Sequence, residues 1–202
     1  QSSIDSYVIH MDVGSVRLEY LSDEGRIAAL HRGKGPRGST GAVELRALER
    51  FVGDKGLERN LPLRRLERAP VMASVGVIGA GPAGLSCAYQ LARRGHAVTV
   101  CERAPEPGGM LRYGIPDFRL PPAILDAEIR RITALGVEIA SSKAVGMDVP
   151  VEEIHSRRQA VFVGIGAQRG HVLGVPGEEG PGVWTGTEYL RRVNEGVRWV
   201  GS

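Results

Sequence analysis

The run Val75-Gly76-Val77-Ile78-Gly79-Ala80-Gly81-Pro82-Ala83-Gly84 constrains this chain more than any other stretch: a short apolar strand ends on a glycine triplet and opens directly into a helix. In such a crossover Gly79 permits the tight turn, Gly81 lets main chain approach a diphosphate, and Gly84 lets the helix pack closely on the sheet. Together with Ala80, Pro82 and Ala83 these glycines form a candidate cradle. It sets an anion against the unpaired N–H groups and partial positive charge of a helix N-terminus. Pro82 suits the first helical turn, where its missing N–H costs nothing, and Ala83, Leu85, Ala88, Leu91 and Ala92 supply an apolar helix face.

A glycine triplet alone is a weak signal, and its surroundings decide. Gly95 predicts the end of the helix, Ala97 to Cys101 reads as a second apolar strand, and Glu102 follows Gly84 by 18 positions. A carboxylate there is placed to accept hydrogen bonds from an adenosine ribose, whereas a 2′-phosphate would meet like charge. The carrier expected at this turn is therefore FAD or NAD rather than NADP. Beyond Glu102 the pattern stays α/β. Pro121-Pro122 leads into a helix with Ile124, Leu125, Ile129, Ile132 and Leu135 on its buried side, ended by Gly136 before a strand at Val137 to Ala140. Val145 to Val151 reads as a short extended piece, Pro150 precedes a short helical pattern through Ile154, and Ala160 to Val163 reads as a buried strand entering Gly164-Ile165-Gly166-Ala167. A last helix is expected at Glu188 to Asn194. The fold class is α/β, a Rossmann-like parallel sheet with flanking helices.

The first 70 residues have a different texture and predict a small α+β or mainly helical region. Tyr7 to His10 and Val16 to Tyr20 suggest a hairpin joined through Asp12-Val13-Gly14, with a turn at Ser22 to Gly25. His31 to Gly41 has no hydrophobic period and reads as mobile. Val43 to Val52 resumes a helical pattern, with Gly53 as its expected stop, and a linker from Leu61 to Ala73 places the main boundary near Pro70. The domains expected are 1–70 and 71–202.

Composition narrows the function classes. A net charge of +3, with acids mixed among the bases of Arg46 to Arg68, gives no reason to expect nucleic acid. No apolar stretch approaches the about 20 residues needed to span a bilayer and no signal peptide opens the chain, so a cytoplasmic, membrane-free setting is expected. The start at Gln1 and the end at Gly201-Ser202 fit a trimmed chain or a fragment. Cys87 and Cys101 are expected in the core, form no Cys-x-x-Cys pair and cannot make a four-cysteine cluster. The five histidines, His10, His31, His96, His155 and His171, lack metal-site spacing and are expected on the surface or in loops. Neither a Gly-x-Ser-x-Gly elbow nor a phosphate loop ending in Gly-Lys-Ser/Thr is present, which leaves a hydrolase or nucleoside triphosphatase unsupported.

The segment Cys101 to Pro121, above all Gly108-Gly109-Met110-Leu111-Arg112-Tyr113-Gly114-Ile115-Pro116-Asp117-Phe118-Arg119-Leu120-Pro121, strongly resembles the flavin-binding segment of the glutamate synthase small-subunit family. Dihydropyrimidine dehydrogenase and ferredoxin-NADP transhydrogenase subunits look like relatives, and the resemblance covers roughly Val43 to Asn194. It implies FAD, with the diphosphate on Gly79 to Gly84 and the ribose on Glu102. By resemblance, Gly109, Met110 and Leu111 line the flavin side, Arg119 offers a forked cation, Val145 contacts the adenine, and Gly164 and Gly166 close over the dinucleotide. It also implies NAD(P)H on a domain that this sequence lacks, and an iron–sulfur or other redox partner subunit. No cysteine precedes Val43, so no iron–sulfur cluster is expected in this chain. The resemblance implies an FAD-binding portion of an NAD(P)H-dependent flavin oxidoreductase, with no acidic or basic catalytic side chain required. A noncatalytic scaffold module of a larger redox complex is the alternative. An NAD-dependent dehydrogenase is disfavoured, because no substrate-side acid–base pair is supplied.

Overall fold

The computed structural model describes residues 8–9, 18–19, 45–66, 72–168 and 170–196. The chain divides into two units, Gln1–Arg59 and Asn60–Ser202. In the first, strands β1 (Val8–Ile9) and β2 (Leu18–Glu19) pair antiparallel, Val8 opposite Glu19 and Ile9 opposite Leu18, inside the two runs expected to form a hairpin. The linking residues Asp12-Val13-Gly14, the turn at Ser22–Gly25, the stretch His31–Gly41 and the boundary at Pro70 lie outside the described residues.

Helix α1 (Leu45–Glu58) corrects one expectation, since it runs through Gly53. An interior glycine costs a helix about 1 kcal/mol, not its existence. The pair Arg50 with Asp54 spans it, and Lys55 with Glu58 follows in the next turn. The stop comes at Asn60, whose φ of 48° is a left-handed conformation that asparagine tolerates.

The second unit is built on a parallel sheet of β3 (Ser74–Ile78), β4 (Ala97–Cys101), β5 (Glu138–Ala140) and β6 (Ala160–Val163), in the spatial order β5-β4-β3-β6. Helix α2 (Pro82–Ala92) crosses from β3 to β4, and α4 (Pro122–Thr133) precedes β5. Chain order runs outward from β3 to β5 and then jumps to the other side of β3, so the strand order reverses at β3, where a crevice opens at the strand C-termini. Val77 and Val100 are fully buried at the centre of a core that Leu85, Ala88 and Ala92 complete from α2 and Leu125 and Ile129 from α4. These residues follow the helical and strand periods of the sequence.

Four local features differ from expectation. Ala160–Val163 is a strand but not a buried one, since Phe162 and Val163 are 38% and 61% exposed. β6 bonds only β3, and among the described residues no strand pairs with its other edge. Val145 to Val149 is a turn rather than an extended piece: the Ala144 carbonyl accepts from the N–H groups of Met147, Asp148 and Val149, and Asp148 Oδ2 accepts from Ala144 N at 2.8 Å. Helix α5 (Val151–Arg157) follows it directly. A four-residue helix α3 (Met110–Tyr113) that no period announces begins after Gly109. The last helix, α6 (Gly186–Asn194), starts two residues early, capped by Thr185 Oγ1 accepting from Glu188 N at 3.3 Å. Among the described residues no helix is long and apolar enough to cross a membrane.

Candidate functional site

The site is built at the C-terminal tip of β3. Gly79 N donates to Cys101 O of β4, and Gly164 N, just past β6, donates to Ile78 O, both at 2.8 Å, so the turn is tied to both neighbouring strands. Gly79 holds a φ of +99°, which a side chain rarely adopts. Gly84, in the first turn of α2, lies so close to that turn that a Cβ there would stand 1.8 Å from Gly79 O. Gly81 is different. It has an ordinary extended backbone (φ −79°, ψ −175°), and a Cβ on it would meet only Gly109 Cα, at 3.8 Å. The protein's own packing does not demand a glycine at this position, so its bareness leaves room on the crevice side. No side chain caps this end of α2, whose first-turn N–H groups lack intrahelical acceptors.

Gly109 faces Gly81 with φ +53°, and Gly108 N donates to Ala80 O at 2.8 Å. The sequence Gly108-Gly109 thus lies back against the glycine turn, and bare main chain forms both sides of the cradle. Glu102 is buried at the β4 tip with 8% exposure, its Oε2 accepting from Ala80 N at 2.6 Å and its Oε1 from Ala104 N at 2.8 Å. The carboxylate therefore ties the β4 tip to the turn, and each oxygen keeps a second lone pair for a hydroxyl in the crevice. Glu102→Gln keeps the volume but turns one acceptor into a donor facing an N–H group. It is expected to cost about 1–3 kcal/mol, read as a lowered urea midpoint, and an unchanged midpoint would show that both N–H groups find other acceptors.

Around this centre lies a crevice of about 750 Å³, within the size range of small-molecule sites. Of the residues expected at a ligand, Gly79, Gly81, Pro82, Ala83, Glu102, Gly109, Met110, Val145, Gly164 and Gly166 line it. Ala80 and Gly84 are buried behind it and shape the turn. Leu111 points elsewhere, packing against the core, and Arg119 is exposed in the turn after α3 and absent from the lining. Cys101 lines the crevice half-buried, and burial pushes its thiol upward, as it does the thiol of Cys87. Neither is poised as a nucleophile.

Several lining residues were not among the expected cofactor contacts: Arg103, Tyr113, Lys143, Gln168, Glu188 and Arg191. Three of them could have been found, because ligands bind beyond the carboxyl ends of parallel strands and Arg103, Lys143 and Gln168 follow β4, β5 and β6. The Thr185-x-x-Glu188 cap spacing marks the start of α6. The wall formed by α3 and α6 is fastened by Asn194, whose Nδ2 donates to Arg112 O and Ile115 O at 2.9 and 3.0 Å, and by Arg191 over the Tyr113 ring at 5.3 Å. Among the described residues no group of three or more His, Cys, Asp or Glu could hold a metal ion.

A family model described as an NAD(P)-binding Rossmann-like domain matches residues 77–126. The beta subunit of the NADP(+)-dependent formate dehydrogenase of Moorella thermoacetica is 49% identical over 122 residues, covering 59% of this chain and 17% of that protein. The glutamate synthase (NADPH) small chain of Bacillus subtilis is 36% identical over 149 residues, covering 74% of this chain and 30% of that protein. The NAD-dependent dihydropyrimidine dehydrogenase subunit PreT of Escherichia coli K12 is 36% identical over 153 residues, covering 76% and 36%. The chain thus spans only about a sixth to a third of the lengths of these relatives. Among solved structures, FprA of Mycobacterium tuberculosis in complex with NADPH superposes with a TM-score of 0.57 at 23% identity, over 61% of this chain and 29% of that one, and shares the fold. The α/β unit of this chain is thus a Rossmann-like region homologous to part of the glutamate synthase small chains and dihydropyrimidine dehydrogenase subunits.

Proposed function

We propose that the crevice holds FAD by its ADP half, and that the region serves an NAD(P)H-dependent flavin oxidoreductase passing electrons to an iron–sulfur partner in the cytoplasm. The observation that carries the reading is the apposition of Gly81 and Gly109, two bare stretches of main chain beside a buried acid, with no clash where a Gly81 Cβ would stand. A diphosphate fills such a space, accepting from the first-turn N–H groups of α2. The free lone pairs of Glu102 accept from the ribose hydroxyls, and the turn at Val145 walls the base. Toward the other end, Met110, Tyr113 and α6 exclude water from the ring. Bound flavin supplies the redox chemistry, taking up hydride and giving up electrons singly or in pairs, and the protein orients it. The nicotinamide donor is supported by the relatives' names, which specify NADPH, NADP(+) or NAD, and the partner by their being subunits or small chains.

Titration of the folded chain tests the site. FAD is expected to bind at one equivalent with quenched fluorescence and a shifted visible spectrum, while FMN, which lacks the ADP half, binds far more weakly. A folded chain that leaves FAD spectrally unchanged sinks the reading.

A further inference from the structure

Two side chains meet across the mouth of the crevice. Arg103 is the first residue beyond Glu102 at the β4 tip, and Gln168 lies on the loop beyond β6. These strands flank β3 on opposite sides, so a contact between the two residues passes over the point where the glycine turn begins. Arg103 Nη2 donates to Gln168 Oε1 at 3.0 Å, and Gln168 Nε2 donates to Ile165 O at 2.7 Å. The amide is therefore used at both ends, its nitrogen anchored to the β6 loop and its oxygen presented to the guanidinium. Both residues line the crevice and both are exposed. An exposed bond of this kind contributes little to folding and can open and close freely. Arg103 gives one of five N–H donors to Gln168, and a guanidinium fork suits phosphate oxygens with those that remain.

The geometry points to Arg103 and Gln168 as a two-piece clasp on the bound dinucleotide: Gln168 holds the guanidinium over the mouth, and Arg103 bonds the diphosphate from the side opposite the glycine turn. This rests on the reading of the crevice as an FAD site and adds two contacting residues to it. A clasp that lies outside the ligand must open for exit, so it lengthens residence more than it hastens entry. The two residues also act as one unit, since Arg103 without Gln168 swings into solvent and Gln168 without Arg103 has no charge to hold.

The test is the dissociation rate of FAD from the full chain, measured for Arg103→Ala, Gln168→Ala and the double variant. Each single change is expected to raise the rate about fivefold, the scale of one typical net hydrogen bond. The double variant is expected to release FAD no faster than the quicker single one. Association rates and the thermal midpoint without FAD stay as in the parent, which a merely structural role would not leave unmoved. Parental dissociation rates in both single variants, or effects that multiply in the double variant, overturn the clasp while the site reading stands. A parent chain that takes up no FAD overturns both.

Discussion

Gly84→Ala is expected to cost the α/β unit about 3–5 kcal/mol, a large share of the roughly 5–15 kcal/mol by which a domain is stable. The new Cβ would stand 1.8 Å from the Gly79 carbonyl oxygen and 3.2 Å from Val77 Cγ1, and neither can step aside. Gly79 is bonded to Cys101 at the end of β4, and Val77 is at the centre of the sheet. Relief comes only by lifting the N-terminal turn of α2, which draws Leu85 and Ala88 out of the core. The thermal midpoint followed by circular dichroism should fall by roughly 10 °C or more. A midpoint within error of the parent would show that the helix can retreat at little cost, and the close-packing account of this glycine would fail.

Gly81→Ala, three residues earlier, is expected to do the reverse. Its backbone angles suit any residue, and its nearest neighbour at 3.8 Å is in ordinary contact, so the fold should be unaffected to within about 0.5 kcal/mol. A methyl group there occupies the space assigned to the diphosphate, and FAD affinity should fall about 100-fold, equivalent to about 2.7 kcal/mol. The pair of substitutions separates a glycine that the protein needs from one that only a ligand needs. Equal FAD affinity in parent and Gly81→Ala would place the diphosphate elsewhere.

The parts of this molecule that were legible in the sequence are those whose causes are local. The strand Ser74–Ile78, the helix Pro82–Ala92 and the strand Ala97–Cys101 are each written in apolar period, a proline at the first turn and glycines at the ends, and the same holds for Leu125 and Ile129 on α4. What escaped depends on partners distant in the chain. The apolar run Ala160–Val163 looks like any buried parallel strand until its place at the sheet edge is known. Val145 to Val149 carries valines suited to a strand, yet Asp148 and the Ala144 carbonyl close it into a turn. Side-chain direction is also not written in a motif: Leu111 turns into the core while Met110 beside it faces the crevice. Arg103 and Gln168 meet across 65 positions, which no local pattern records.

The two amides gripped by Glu102 make this acid a joint of the turn as well as the proposed recognition group, and that bears on any attempt to redesign the proposed cofactor preference. Exchanging the acid for a cationic side chain, the usual route toward a phosphorylated sugar, would unfasten Ala80 and Ala104 at the same stroke. A successful redesign has to supply replacement acceptors for both before it alters the charge. In this scaffold the proposed choice of sugar and the rigidity of the turn are inherited together.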